Sequence, residues 1–140
     1  MSTTKTILTV QVLVNAPLEK TWEVFTHPDH IIKWNQASPD WHSPWSKNDL
    51  REGGRFSTRM EAKDGSMGFE FGGAYDVVKP LEYLAYTLDD GRKVTVAFTA
   101  DGNATKVAET FEADETHSPE MQQTGWQAIM DSFKNYTEAL

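Results

Sequence analysis

Glu109 is the residue whose setting most invites chemistry. It lies in Val107-Ala108-Glu109-Thr110-Phe111, a stretch that alternates with period two. On one reading Glu109 shares the apolar face of Val107 and Phe111. A carboxylate there must be paired, hydrogen-bonded or protonated, and it would serve a cavity as a partner for a ligand hydroxyl or as a general base. On the other reading Ala108 and Thr110 face inward and Glu109 faces water. Glu70, between Phe69 and Phe71, falls on the outward side of its own stretch. His42 stands beside Trp41 and close to Trp45. It suits a pH-sensitive or ligand-facing role, or equally a loop position satisfied by backbone. Asp49 and Arg51 project from the same side of an extended chain and read as an ion pair bracing a turn.

Other chemistries lack their residues. The chain has no cysteine, which excludes disulfides, thiolate metal sites and cysteine nucleophiles. His27 and His30 flank Asp29, but Pro28 places His27 outside the following helix, so the pair should not converge on a metal. No metal or other cofactor is expected. Gly53-Gly54 and Gly72-Gly73 lie among strands rather than before a helix, so neither cradles a phosphate. There is no Gly-x-Ser-x-Gly elbow for a nucleophilic serine. The net charge is −8 and the 13 Lys and Arg are dispersed, which disfavours nucleic acid and anionic membranes as partners. Residues 1–5 lead into an alternating stretch with no signal-peptide core, and no apolar run approaches a membrane span. The expectation is a cytoplasmic protein, monomeric or weakly dimeric.

These residues need a frame, and the hydrophobic pattern supplies one. At 140 residues with 39% hydrophobic content, the chain is sized for one domain with a real core. Residues 6–14 read as a strand with Val10, Val12 and Val14 on one side. Asn15-Ala16-Pro17 breaks it. A helix over residues 18–26 follows, carrying Leu18, Trp22 and Phe25, and a second over residues 29–34 carries Ile31, Ile32 and Trp34. Residues 35–46, rich in Trp, Pro and Ser, read as a loop packed as a flap over one end of the core, and residues 47–51 as a short strand. From Arg55 to Phe111 the chain is a meander with turn signals at Asp64-Gly65, Asp90-Gly91 and Asp101-Gly102, and an expected bulge at Gly72-Gly73. Its inner faces begin with Phe56 and Met60, then Met67, Phe69 and Phe71. Ser118-Pro119-Glu120 starts a long helix whose apolar positions are Met121, Trp126, Ile129, Phe133, Tyr136 and Leu140. Gly125 lies within it, at a cost of about 1 kcal/mol relative to Ala, which asks for a packing or ligand-space reason. The order is β-α-α-β(5-6)-α, an α+β fold: a curved antiparallel sheet wrapped around the C-terminal helix.

The chain resembles the helix-grip superfamily of START and plant-allergen-like domains. It is most similar to single-domain bacterial proteins related to the C-terminal domain of the Hsp90 ATPase activator. The stretches that carry the resemblance include Asn15-Ala16-Pro17 with Trp22-Glu23-Val24-Phe25, and His27-Pro28-Asp29-His30 with Trp34. Further along are Asp49-Leu50-Arg51-Glu52-Gly53-Gly54-Arg55-Phe56, Tyr86-Thr87-Leu88-Asp89-Asp90-Gly91-Arg92, Glu109-Thr110-Phe111-Glu112 and Gly125-Trp126-Gln127. The resemblance implies a ligand cavity between the long helix and the concave face of the sheet. Its walls would be Phe56, Met60, Phe69, Phe71, Tyr86, Val96, Phe98 and Glu109 from strands, and Trp126, Ile129, Met130 and Phe133 from the helix, with Trp34 and Trp41 guarding the mouth. The same aromatics would equally fill a close-packed core. The implied function is binding of a small apolar or aromatic, lipid-like or polyketide-like molecule, rather than turnover. The alternatives are a chaperone-interacting module and a cavity acid–base enzyme using Glu109, with His42 or Tyr86.

Overall fold

The meander does form one sheet, and the last helix lies along it. The computed structural model describes residues 6–140; the expectation about residues 1–5 lies outside them. The elements are β1 (Ile7–Val14), α1 (Leu18–Thr26), α2 (Pro28–Trp34), β2 (Trp41–His42), β3 (Ser46–Asn48), β4 (Arg55–Ala62), β5 (Gly68–Lys79), β6 (Tyr83–Leu88), β7 (Lys93–Asp101), β8 (Ala104–Glu112) and α3 (Pro119–Ala139). The sheet is antiparallel in the order β1-β8-β7-β6-β5-β4-β2, with β3 also paired to β4. It curls into a half-barrel with α3 on its concave side, the α+β helix-grip architecture.

Local chemistry explains the element ends. Pro17 sits extended at the N-cap of α1. His27 caps α2 by accepting Asp29 N–H at its Nδ1 (3.1 Å), and Pro28 takes the first turn, where its missing N–H costs nothing. Ser118 caps α3 by accepting Met121 N–H at 3.1 Å. Gly65 (φ 78°) and Gly91 (φ 93°) take the left-handed conformation that the β4–β5 and β6–β7 turns demand.

Three expectations are corrected. The Trp-rich segment is not a flap: Trp41 and His42 pair with Ala62 and Glu61, extending the sheet edge, and Ser46 to Asn48 pair with Thr58 to Phe56. The bulge is not at Gly72-Gly73, which pair regularly with Ser57 and Phe56; the register shifts between Tyr75 and Val77. Gly73 is needed for closeness instead, since a Cβ there would run into the Thr87 carbonyl. Met67 precedes β5 and is 65% exposed, so it is no inner-face residue; on α3, Met121 and Leu140 are likewise exposed.

The space between α3 and the sheet divides in two. Over one end, α1 and α2 drive in a plug of rings: Trp22 meets Phe98 edge-on (5.0 Å between centroids), Phe25 meets Phe98 (5.4 Å) and Phe133 (5.2 Å), and Trp34 stacks on Phe25 (5.3 Å). Val94, Val96, Val107 and Phe133 are fully sealed. Over the other end the space stays open. Phe133→Ala should therefore cost about 3–5 kcal/mol, whereas Met121→Ala should change stability by less than about 0.5 kcal/mol. Urea unfolding of both variants checks this, and equal costs would contradict the division.

Candidate functional site

The open half is a cavity of about 410 Å³. Strands supply most of its wall. Phe56, Thr58 and Met60 point in from β4, Phe69, Phe71 and Tyr75 from β5, Leu84 and Tyr86 from β6, and Glu109 from β8. The period-two alternation of each strand places these side chains on one face. Trp126, Ile129 and Met130 roof it from α3, and Phe25, Ile31 and Trp34 close it from α1 and α2. Trp126 stacks on Phe111 (3.8 Å, 8° between planes) and meets Phe71 edge-on at 6.0 Å, so it spans from β8 to β5.

Ten of the fourteen residues expected around a ligand line this cavity: Trp34, Phe56, Met60, Phe69, Phe71, Tyr86, Glu109, Trp126, Ile129 and Met130. Val96, Phe98 and Phe133 do not: Phe98 and Phe133 belong to the ring plug, because α1 packs onto that end of the sheet, and Val96 is sealed between Leu84 and Glu109 in the sheet. Trp41 does not line it either. It sits on edge strand β2 and touches Phe69 at 6.0 Å. Trp34 does not guard a mouth: it is buried in the wall and donates its indole N–H to Val24 O at 2.9 Å. Phe69, 47% exposed, is the aromatic that reaches from cavity to surface. Gly125 faces open space with no atom within 4 Å of where its Cβ would be, so close helix–strand approach does not explain it.

The remaining polar expectations are settled by their partners. His42 lies 3.6 Å from Glu61 on the exposed sheet edge, away from the cavity. Arg51 Nε donates to both Asp49 oxygens (3.0 and 2.9 Å), the expected turn brace. His30 pairs with the Tyr136 hydroxyl at 2.8 Å while His27 caps α2, so the two are occupied separately.

Tyr75, Leu84, Asn48 and Arg92 were not foreseen on the wall. Tyr75 keeps the parity of Phe69 and Phe71, a signal obscured by placing the bulge at the glycine pair between them. Its hydroxyl donates to Asn48 Oδ1 (2.7 Å), and Asn48 Nδ2 donates to Thr26 O (2.6 Å), which ties β5, β3 and the end of α1 together. Burial pushes the Tyr75 phenol up to about 12, against the effect of that hydrogen bond.

Glu109 is buried, 8% exposed, between sealed Val107 and Phe111. The Tyr86 hydroxyl donates to its Oε2 at 3.3 Å, long for an O–H···O bond. Burial raises the Glu109 carboxyl to about 7, and the Tyr86 hydrogen bond only partly offsets this. Tyr86 is pushed well above its ordinary value, first by burial and then by the Glu109 charge, and stays protonated. Near neutrality the pair thus offers one permanent donor beside a carboxyl that can give or take a proton. Among the described residues no group of three or more His, Cys, Asp or Glu side chains is arranged to hold a metal. Nor is any helix among the described residues long and apolar enough to cross a membrane.

The raised carboxyl makes stability pH-dependent. Its folded value lies above the unfolded one, so the folded state holds an extra proton between about pH 4.5 and 7, and stability falls as pH rises through that window. Glu109→Gln removes this loss. Its unfolding free energy relative to wild type should rise by about 2–3 kcal/mol between about pH 5 and pH 8, read by urea titration at each pH; a flat difference would contradict a buried, weakly paired carboxyl.

Solved structures share the fold. A solution structure of an AHSA1-like protein from Aeromonas hydrophila superposes with TM-score 0.86 at 43% identity, over 94% of this chain and 93% of that one. A solution structure from Cytophaga hutchinsonii is 54% identical, with TM-score 0.81 over 94% and 91%. A crystal structure from Chromobacterium violaceum, 20% identical, has the same fold with TM-score 0.85 over 95% and 98%. No curated protein matches the sequence. The family model described as activator of Hsp90 ATPase homolog 1-like protein matches residues 15–138. The chain belongs to that family, within the helix-grip superfamily.

Proposed function

We propose that this protein binds a small, largely apolar or aromatic molecule in the cavity between α3 and the sheet. The observation that carries the reading is the half-filled interior. A core that only needed packing would close at crystal-like density with few voids larger than a water molecule. Here an apolar space of about 410 Å³ persists beside a tightly interlocked ring cluster. The volume falls in the lower part of the roughly 300–1,000 Å³ range of ligand sites. Benzene fits an engineered cavity of about 150 Å³, so the space suits two to three such rings better than a two-chain lipid.

A chaperone-interacting module is the second reading that family membership supports at this level. Its own support is the apolar surface of Met67, Phe69 and Trp45, exposed at 65%, 47% and 36%. The open cavity favours the first.

Thermal shift against flavonoid, sterol and polyketide-like aromatic compounds tests it. A compound at about 100 times its dissociation constant adds roughly 2.7 kcal/mol and should raise Tm by roughly 5–10 °C. Ile129→Phe, which fills the roof, should weaken a hit at least about tenfold with the fold intact. Hits unaffected by Ile129→Phe and by Met130→Phe would place the binding elsewhere and defeat the proposal. Stimulation of a chaperone ATPase with no hit in the screen would turn it to the second reading.

A further inference from the structure

The cavity is apolar, but its polar groups are not equally occupied, and the difference selects a ligand class. The buried polar side chains on its wall are Thr26, Thr58, Tyr75, Tyr86 and Glu109. Thr26 donates to Trp22 O at 2.8 Å. Thr58 shares a hydroxyl–hydroxyl bond with Ser46 at 2.9 Å. Tyr75 is spent on Asn48, and Tyr86 on Glu109 Oε2. One oxygen is left over, Glu109 Oε1, which has no hydrogen-bond partner. It is not sealed either: the only fully buried side-chain polar atom without a partner among the described residues is Oε1 of Gln36. Glu109 lines the cavity, so its free oxygen is reached from the cavity. The half-buried Arg92 guanidinium, which also borders the cavity, donates through Nε to Asp90 at 2.8 Å. Among the described residues no cation is bonded to Glu109.

From this arrangement we infer that the ligand is a neutral ring compound bearing a hydroxyl, an aromatic or polycyclic alcohol or phenol, whose O–H donates to Oε1 of Glu109 beside the Tyr86 hydroxyl. This rests on the cavity-binding reading and narrows it. A ligand that fills the cavity shuts solvent away from Oε1; leaving it unpaired then is costly, and a ligand donor avoids that cost. A hydrogen bond to an ionised acceptor is about twice as strong as a neutral one. A hydrocarbon of the same shape leaves the oxygen unsatisfied, and above about pH 7, where Glu109 is ionised, a ligand carboxylate at this position would meet like charge.

Two matched probes test this: 2-naphthol and 2-methylnaphthalene, titrated by fluorescence against wild type, Glu109→Met and Glu109→Gln at about pH 8, with folding confirmed by circular dichroism. Wild type should bind 2-naphthol at least about tenfold more tightly than 2-methylnaphthalene. In Glu109→Met that ratio should fall below about threefold, through weaker 2-naphthol binding, with 2-methylnaphthalene changed by less than about threefold. Glu109→Gln, nearly isosteric, provides the same readout should the methionine variant not fold, and its ratio should lie between the two. Equal binding of both probes by wild type, or a preference as large as the wild-type one in a folded Glu109 variant, overturns the hydroxyl assignment and leaves the cavity reading standing. Binding of neither probe by wild type overturns both.

Discussion

The contact on which the rest depends is the seam between α3 and the free edge of β1. Strand β1 pairs with β8 on one side only. Its outer carbonyls are taken up by α3: Gln123 donates to Thr9 O (2.7 Å), Gln127 to Gln11 O (3.2 Å) and Lys134 to Leu13 O (2.7 Å), while Glu138 accepts Asn15 N–H (2.8 Å). Alternate strand residues are roughly 6.7 Å apart and helix positions i and i+4 about 6.0 Å. The two ladders nearly match for one step. Beyond it the longer lysine takes over. Binding the edge this way removes a surface open to strand addition, and it fixes where the helix lies. With α3 held along β1, its opposite flank, which carries Gly125, is kept away from β4 and β5, and the cavity is what remains between them.

Two of α3's neighbours decide how much of that space is filled. The α1–α2 pair inserts Trp22, Phe25 and Trp34 over the ends of β7 and β8, and this interlocked cluster gives α3 a rigid seat through Phe133. At the other end Gln122 holds the preceding loop, accepting Asp114 N–H (2.8 Å) and donating to His117 O (2.9 Å), and the Phe111–Trp126 stack pins the first turns of the helix. The helix is thus fixed at both ends and bridges an unfilled middle. An interior that keeps a void and a poorly paired carboxyl gives up stability that packing would recover. The filled half supplies the rigidity that lets the open half persist.

Much of this was legible in the sequence, and the failures have identifiable causes. Strand parity put Val10, Val12 and Val14 inside, and placed Phe56, Met60, Phe71 and Tyr86 on the inner face, while it left Glu109 open between the two faces of its strand. Caps and prolines marked all three helices. Parity cannot distinguish two ends of one face, however. Phe98 points the same way as Tyr86, and only the docking of α1, a tertiary fact, makes it plug rather than wall. The β2 strand was missed, and β3 was read over residues 47–51 rather than Ser46–Asn48, because segments of two or three residues carry no periodicity. Glycine was read as the cause of a bulge when Gly73 serves close backbone approach, and that hid Tyr75. The seam was missed for the opposite reason: Gln123, Gln127, Lys134 and Glu138 form a polar stripe of the kind that usually faces water.

The most direct measurement is methyl NMR mapping of 2-naphthol binding in protein labelled at Ile and Met. Binding in the cavity predicts that shifts concentrate on Ile31, Met60, Ile129 and Met130, which line it, while the exposed Met67 and Met121 stay still. Shifts confined to Met67 and Met121, or none at saturating probe, would contradict the claim that this interior is built to hold a ligand.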